Sequence, residues 1–259
     1  MKRQVALSWR VTVALVFLIS ACTARRFDIT AIRSGMVSAQ GVTNIRIATG
    51  AGWLRIEGRP GSTQIRATGT AHASSEALLN RIRLSITRSG NDVVITTDVP
   101  EYAQPIGQAA ALDLTLEVPM GVPLHVTDAS GETIIRNVGP LTIADNTGGL
   151  DIEGVMGDLD VRDGSGGLQV SAVHGDVHIA DGSGSIFISH ITGSVTIPTD
   201  GSGEIQVADV SGDLTIDSKA SGEVAARNVG GNFVVDAKGN GSIEYHGIRG
   251  RVSLPSRGK

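Results

Sequence analysis

Residues 157–174 read GDLDVRDGSGGLQVSAVH, residues 175–192 read GDVHIADGSGSIFISHIT, and residues 193–211 read GSVTIPTDGSGEIQVADVS. These are one pattern written three times, in units of 18, 18 and 19 residues. A fixed period of this length signals a stacked repeat, and it decides the fold. One glycine recurs at Gly157, Gly175, Gly193, Gly212, Gly231 and Gly250, and a second at Gly131, Gly148, Gly166, Gly184, Gly203, Gly222 and Gly241. Between them the aliphatic residues fall into columns. Leu141, Leu159, Val177, Val195, Leu214, Phe233 and Val252 form one; Ile143, Val161, Ile179, Ile197, Ile216, Val235 and Leu254 form the next. The second half of each unit gives Leu150, Leu168, Ile186, Ile205, Val224 and Ile243.

Within each unit the apolar residues are spaced by two, the mark of a strand with one face buried. Like residues one unit apart then stack about 4.8 Å above one another if each unit is a coil. A single unit can bury nothing, whereas a stack of them closes a narrow core. The glycines are expected to serve corners that need a positive φ. The fold class that follows is all-β: a parallel β-solenoid of 18–19-residue coils spanning 123–255, with a short tail at 256–259.

Upstream of Pro123 the period fades, although short alternating segments continue, such as Ile45-Arg46-Ile47, Leu54-Arg55-Ile56 and Val93-Val94-Ile95. A helical turn or two is expected at Ser75–Asn80, with Ser74 or Ser75 as cap and Glu76 in the first turn. Residues 45–122 are therefore expected to form a β-rich region that caps the N-terminal end of the solenoid.

Composition agrees with many short strands and tight turns: 34 glycines and only 3 % aromatic residues in 259. Charge divides the chain. From Thr23 to Val122 there are 10 basic and 8 acidic residues, and from Pro123 to Lys259 there are 9 and 18. An acidic second half lacks the clustered Lys and Arg that phosphates demand, which sets nucleic-acid binding aside.

The first residues read as an address. Lys2, Arg3 and Arg10 precede an apolar run from Val11 to Ile19, too short to span a bilayer but suited to the central region of a signal peptide. Ile19-Ser20-Ala21-Cys22 resembles the lipobox of bacterial lipoproteins, in which the cysteine is acylated and becomes the new N-terminus. Cys22 is the only cysteine of the chain, so no internal disulfide or cysteine-rich metal site can form. The expected organisation is a signal peptide at 1–21, lipid (palmitate-type acyl chains) on Cys22, an anchor or linker at 22–44, and a membrane-held lipoprotein on the extracytoplasmic side of the cell envelope. Three acyl chains bury enough CH₂ groups, at about 0.8 kcal/mol each, to anchor it stably.

In these segments the chain resembles the bacterial putative-adhesin family, β-strand-repeat domains often carried on lipoproteins. The resemblance rests on Ile45-Arg46-Ile47 with Leu54-Arg55-Ile56-Glu57-Gly58, on Ser75 to Leu84, and on the recurrent Gly-Asp-aliphatic-x-aliphatic units at Gly175 to Ile179 and Gly212 to Ile216. It covers roughly residues 45–254. It implies a β-solenoid on the cell surface and brings no catalytic residues.

The most conspicuous polar pattern is Asp-x-Ser/Thr-Gly at the corners, beginning at Asp128, Asp145, Asp163, Asp181 and Asp200. Stacked carboxylates repel by about 0.9 kcal/mol per neighbour even in water. In the favoured reading each Asp accepts backbone N–H bonds in its own turn and stays solvated. In the sharper reading a divalent cation, Ca²⁺ by its preference for oxygen, sits in a ladder of Asp145, Asp163, Asp181 and Asp200. Lys219 and Lys238 take over the column in the last coils and relieve repulsion without metal.

His174, His178 and His190 are expected at the surface, since no third ligand accompanies them. Nucleophile elbows and phosphate loops are absent from the sequence. Corners of two to four residues leave no room for the walled cleft of a carbohydrate-active β-helix enzyme, so no catalysis and no small-molecule substrate are expected. The leading function is a non-catalytic binding or structural module for an envelope protein or glycan. An accessory sensor in envelope-stress signalling is the alternative, and a carbohydrate-active enzyme comes third.

Overall fold

The computed structural model describes residues 29–100 and 109–255; the signal-peptide segment, Cys22 and the tail at 256–259 lie outside the described residues. The chain opens with β1 (Ile29–Ser38), β2 (Asn44–Ala51), β3 (Leu54–Arg59) and β4 (Gln64–Ala73). A single helical turn, α1 (Glu76–Leu79), leads to β5 (Arg83–Ser89), β6 (Asp92–Asp98) and β7 (Ala110–Pro119). Seven regular coils follow, each of two strands: β8 (Leu124–Ser130) with β9 (Thr133–Val138), β10 (Leu141–Asp145) with β11 (Leu150–Val155), and β12 (Leu159–Asp163) with β13 (Leu168–Val173). Then come β14 (Val177–Asp181) with β15 (Ile186–Ile191), β16 (Val195–Ser202) with β17 (Ile205–Val210), β18 (Leu214–Ser221) with β19 (Val224–Val229), and β20 (Phe233–Asn240) with β21 (Ile243–His246). A short β22 (Val252–Ser253) ends the described chain.

The strands form two eleven-stranded sheets. One runs β1-β4-β7-β3-β9 and then through the odd-numbered strands to β21; the other runs β5-β6-β2-β8 and then through the even-numbered strands to β22. From β8 and β9 onward every pairing is parallel, and all but one run in step throughout, as in Leu141↔Leu159 and Leu150↔Leu168. The expected parallel solenoid is present, and its aliphatic columns make one continuous core from Ile45 to Val235. Each fully buried Ile, Leu or Val contributes about 1.5–3 kcal/mol.

The step from 18 to 19 residues has a local cause. Between β14 and β16 the register shifts: His178 faces Thr196, but Ala180 faces Thr199. The extra residue, in Ile197-Pro198-Thr199, is absorbed as a bulge in the strand, and Asp200 still comes opposite Asp181.

The two glycine columns differ in purpose. Gly166 has φ +144, and an added Cβ would occupy the space of the Gly148 carbonyl oxygen one coil below. Gly175 has an ordinary φ; its Cβ would stand 2.5 Å from the backbone of Gly157. The column of Gly175, Gly193, Gly212, Gly231 and Gly250 is thus reserved by close approach of neighbouring coils, not by a positive φ. Left-handed backbone appears elsewhere, at Asn137, Ala172, His190, Asp209 and Asn228, all near φ +55. Each precedes an inward aliphatic such as Val138 or Val173 and lets the strand skip one residue and turn the corner. Asn, Asp and His tolerate this conformation best among residues with a Cβ.

Two expectations change at the N-terminal end. Residues 29–38, placed in the anchor or linker, form β1, which pairs antiparallel with β4 over its whole length. The region 45–122 does more than cap. β2 and β3 form a coil that stacks parallel on β8 and β9, and β6 and β7 stack parallel on β2 and β3. Ile45, Ile47, Leu54 and Ile56 lie in register with Leu124, Val126, Thr133 and Ile135. The repeat is masked in sequence because β4, α1 and β5 are inserted between two stacked coils.

The cap itself is β1, β4, α1 and β5. It buries Ala71, Ala73, Leu78, Leu79, Ile82, Ala110 and Leu112 in a second apolar cluster. Ser75 caps α1 as expected, its hydroxyl accepting from the Leu78 N–H at 3.3 Å. Arg33 then pins the cap, donating from Nε to the Ile82 carbonyl at 3.0 Å and from a terminal nitrogen to Leu79 at 2.9 Å.

Candidate functional site: a buried aspartate column

Alternation along the even-numbered strands decides where the recurrent corner aspartates point, with the bulge of β16 restoring it at Asp200. In β10 the buried residues are Leu141, Ile143 and Asp145; in β12 they are Leu159, Val161 and Asp163. The aspartates continue the inward face. Asp128, Asp145, Asp163, Asp181 and Asp200 are 1–5 % exposed, so the solvated corner expected from the sequence is corrected: all five carboxyl groups lie inside the rod. They stack rung on rung, Asp128↔Asp145↔Asp163↔Asp181↔Asp200, and Lys219 takes the next rung.

Both ends of the column are closed by donors. Thr49 donates its hydroxyl to Asp128 Oδ1, and Thr133 donates to Asp128 Oδ2 at 3.4 Å. Lys219 Nζ donates to Asp200 Oδ2 and to the Gly203 carbonyl oxygen at 2.7 Å. The middle is not closed. Both oxygens of Asp145, Asp163 and Asp181, and Oδ1 of Asp200, are buried without a hydrogen bond of good geometry. Corner amides such as those of Gly164 and Ser165 stand near enough to Asp163 to favour its anion somewhat.

Burial outweighs that help. Desolvation, reinforced by the charges of Asp128 and Asp163, pushes Asp145 up to about 7; desolvation with Asp163 and Asp200 does the same to Asp181. Asp128 and Asp163 are also raised, again chiefly by burial. Among the described residues no group of three or more His, Cys, Asp or Glu side chains is placed to hold a metal ion.

The outer surface is shallower. One open groove of about 380 Å³ runs across the even-numbered sheet, where His125, Asp160 and His178 line it with the corner residues Asp158 and Asp176. His174, His178 and His190 are exposed, as expected. A second groove of about 400 Å³ lies on the odd-numbered sheet near the cap, beside the exposed Trp53, with Arg66, Asp113 and Glu117. Corners in the regular coils remain two to four residues long, so among the described residues no loop walls the first groove.

Several solved structures are similar to the chain at low identity. The chain is similar to a putative adhesin from Bacteroides fragilis NCTC 9343, at 14 % identity and TM-score 0.48, over 86 % of this chain and 97 % of that one. It is also similar to a putative cell adhesion protein from Clostridium sporogenes ATCC 15579 (11 % identity, TM-score 0.36, 88 % and 99 % covered). A third is a putative lipid binding protein from Parabacteroides distasonis ATCC 8503 (13 % identity, TM-score 0.41, 86 % and 96 % covered). No family model and no curated protein matches the chain.

The sequence located the aspartate column by residue number but on the wrong side of the backbone. Thr49, Thr133 and Arg33 gave no signal of their own. Thr49 belongs to a coil whose repeat the insertion hides.

Proposed function

We propose that this chain is a non-catalytic, adhesin-like envelope lipoprotein, a rigid acidic rod held to a membrane through acylated Cys22. The observation that carries this reading is the continuous two-sheet rod, whose corners are too short to build a cleft. The anchor in this reading is the lipobox-like Ile19-Ser20-Ala21-Cys22; among the described residues no helix is long and apolar enough to cross a membrane. β1 begins seven residues after Cys22, a tether of at most about 25 Å. Acylation of Cys22 would thus hold the capped end, to which β1 belongs, near the membrane.

The groove bearing His125, Asp160 and His178 presents donors and acceptors on a flat sheet, chemistry suited to the hydroxyls of an envelope glycan. The test is sedimentation of the purified chain with isolated envelope polysaccharide. Saturable binding that weakens in Asp160→Ala/His178→Ala, with the polysaccharide chemically unchanged, supports the reading. Release of shortened saccharides would overturn the non-catalytic part, and absence of binding would remove the glycan as ligand.

A further inference from the structure

Five carboxyl groups in one dry column cannot all be ionised without a compensating cation, and the cation can be a metal, an ammonium or a proton. The ammonium is present at one end only, as Lys219 on Asp200. Metal fits poorly. Ca²⁺ takes six to eight oxygens at about 2.3–2.6 Å, and Mg²⁺ keeps a near-octahedral shell with several waters. Two neighbouring rungs offer four carboxylate oxygens at most, and at 4–5 % exposure the column is shut off from bulk water. Across the interior the other sheet presents Leu150, Leu168, Ile186 and Ile205, which supply no ligand.

We propose that the column is an internal proton-binding site, in which Asp145 and Asp181 hold protons and donate them to carboxylates on adjacent rungs while Asp128, Asp163 and Asp200 stay ionised. The alternation follows from the neighbours. Asp128 already receives Thr49 and Thr133, and Asp200 receives Lys219, so these two are the best anions. Asp145 and Asp181 each lie between two other carboxyl groups; no Thr or Lys side chain reaches them, and only a corner amide, Asn146 or Ser183, stands near. A proton on each gives the anionic neighbour a partner and separates the remaining charges by two rungs, about 9.6 Å. Rungs at about 4.8 Å are bridged once the side chains lean toward each other. The upward displacement of both groups to about 7 agrees with this assignment.

The groups facing the column are few: Thr49 on β2, Asp128 on β8, Thr133 on β9, Asp163 on β12, Asp200 on β16 and Lys219 on β18. Among the described residues no other charged side chain is buried. The sign is fixed by the direction of the shift. A carboxyl group raised in the folded state binds more protons there than in the unfolded chain between about pH 4 and 7, so its stabilisation is complete below its ordinary range and is lost as pH rises through about 7. The column's contribution is greatest in acid, falls between about pH 4 and 7 and is spent above neutrality.

The experiment is a melting series on the purified full chain from pH 5.5 to 8.5, with infrared detection of protonated carboxyl groups and with calcium or chelator added. A fall in Tm of at least about 5 °C across that range is expected, with a protonated-carboxyl band present at pH 6 and gone at pH 9. Asp145→Asn/Asp181→Asn keeps the shape and removes the titration, so its Tm should be flat where the wild type falls. The variant also separates the column from surface histidines that titrate in the same window. A flat wild-type profile with no carboxyl band would overturn the proposal, and so would a stoichiometric calcium-dependent rise at pH 8 that Asp163→Asn abolishes. Should the double variant fail to fold, the wild-type band at pH 6 decides alone.

Discussion

The ammonium of Lys219 donates to Oδ2 of Asp200, and both side chains are completely buried. An ion pair of this kind gains little over an apolar pair, because two charges leave water to make it; breaking it is expensive, because one charge is left stranded. Lys219→Met should cost about 3–5 kcal/mol by chemical denaturation. Adding Asp200→Asn should recover much of that loss. A double variant as unstable as the single one would show that the two residues do not act as a pair.

The corner glycines give a prediction with a control one residue away. Gly166 is at φ +144 with the Gly148 carbonyl where its Cβ would go, whereas nothing lies within 4 Å of a Cβ added at Gly167. Gly166→Ala should cost about 4 kcal/mol or more or abolish folding, and Gly167→Ala should stay within about 0.5 kcal/mol of the wild type. Thermal melts of the two variants settle the comparison.

Ala172 is the one alanine in the left-handed column otherwise held by Asn, Asp, His and Gly. The strain of an ordinary side chain in that conformation is about 1–2 kcal/mol, partly offset by the greater freedom of glycine in the unfolded chain. Ala172→Gly is therefore expected to stabilise the rod by up to about 1 kcal/mol. A drop in Tm would mean that the Ala172 methyl group packs better than its backbone suffers.

How far the fold was legible follows from particular residues. Leu141, Leu159 and Val177 lie one period apart, each two residues after a glycine and two before another inward aliphatic, so the coils could be read without a structure. The same period-two rule that sends Leu141 and Ile143 inward also sends Asp145 inward two residues later, and the signal was there to be used. It was overridden by the habit of aspartate at corners, since a buried unpaired carboxylate is costly and rarely expected. At Asp200 the parity itself breaks: Ile197 is inward, and only the bulge after it returns Asp200 to the interior. The coil of β2 and β3 could not be recognised because β4, α1 and β5 separate it from the coils it stacks on. Cys22 lies outside the described residues, and its role rests on sequence alone.

The cap offers a further check. Leu79 is 7 % exposed in the smaller apolar cluster, and its carbonyl accepts from Arg33. Leu79→Ala should cost about 2–4 kcal/mol locally and speed amide exchange in β1 and β5, while the coils from β10 onward keep their protection. Uniformly faster exchange along the whole rod would show that cap and coils melt as one unit.

A rod fixed to a membrane at its capped end requires acylation of Cys22. The most direct test is metabolic labelling with a clickable fatty acid in a bacterial host, comparing the wild type with Cys22→Ala and following membrane fractionation. The account predicts that the wild type takes up label and sediments with membranes, while the variant is exported, unlabelled and soluble. Equal membrane association of both proteins, or a wild type exported without label, would contradict it.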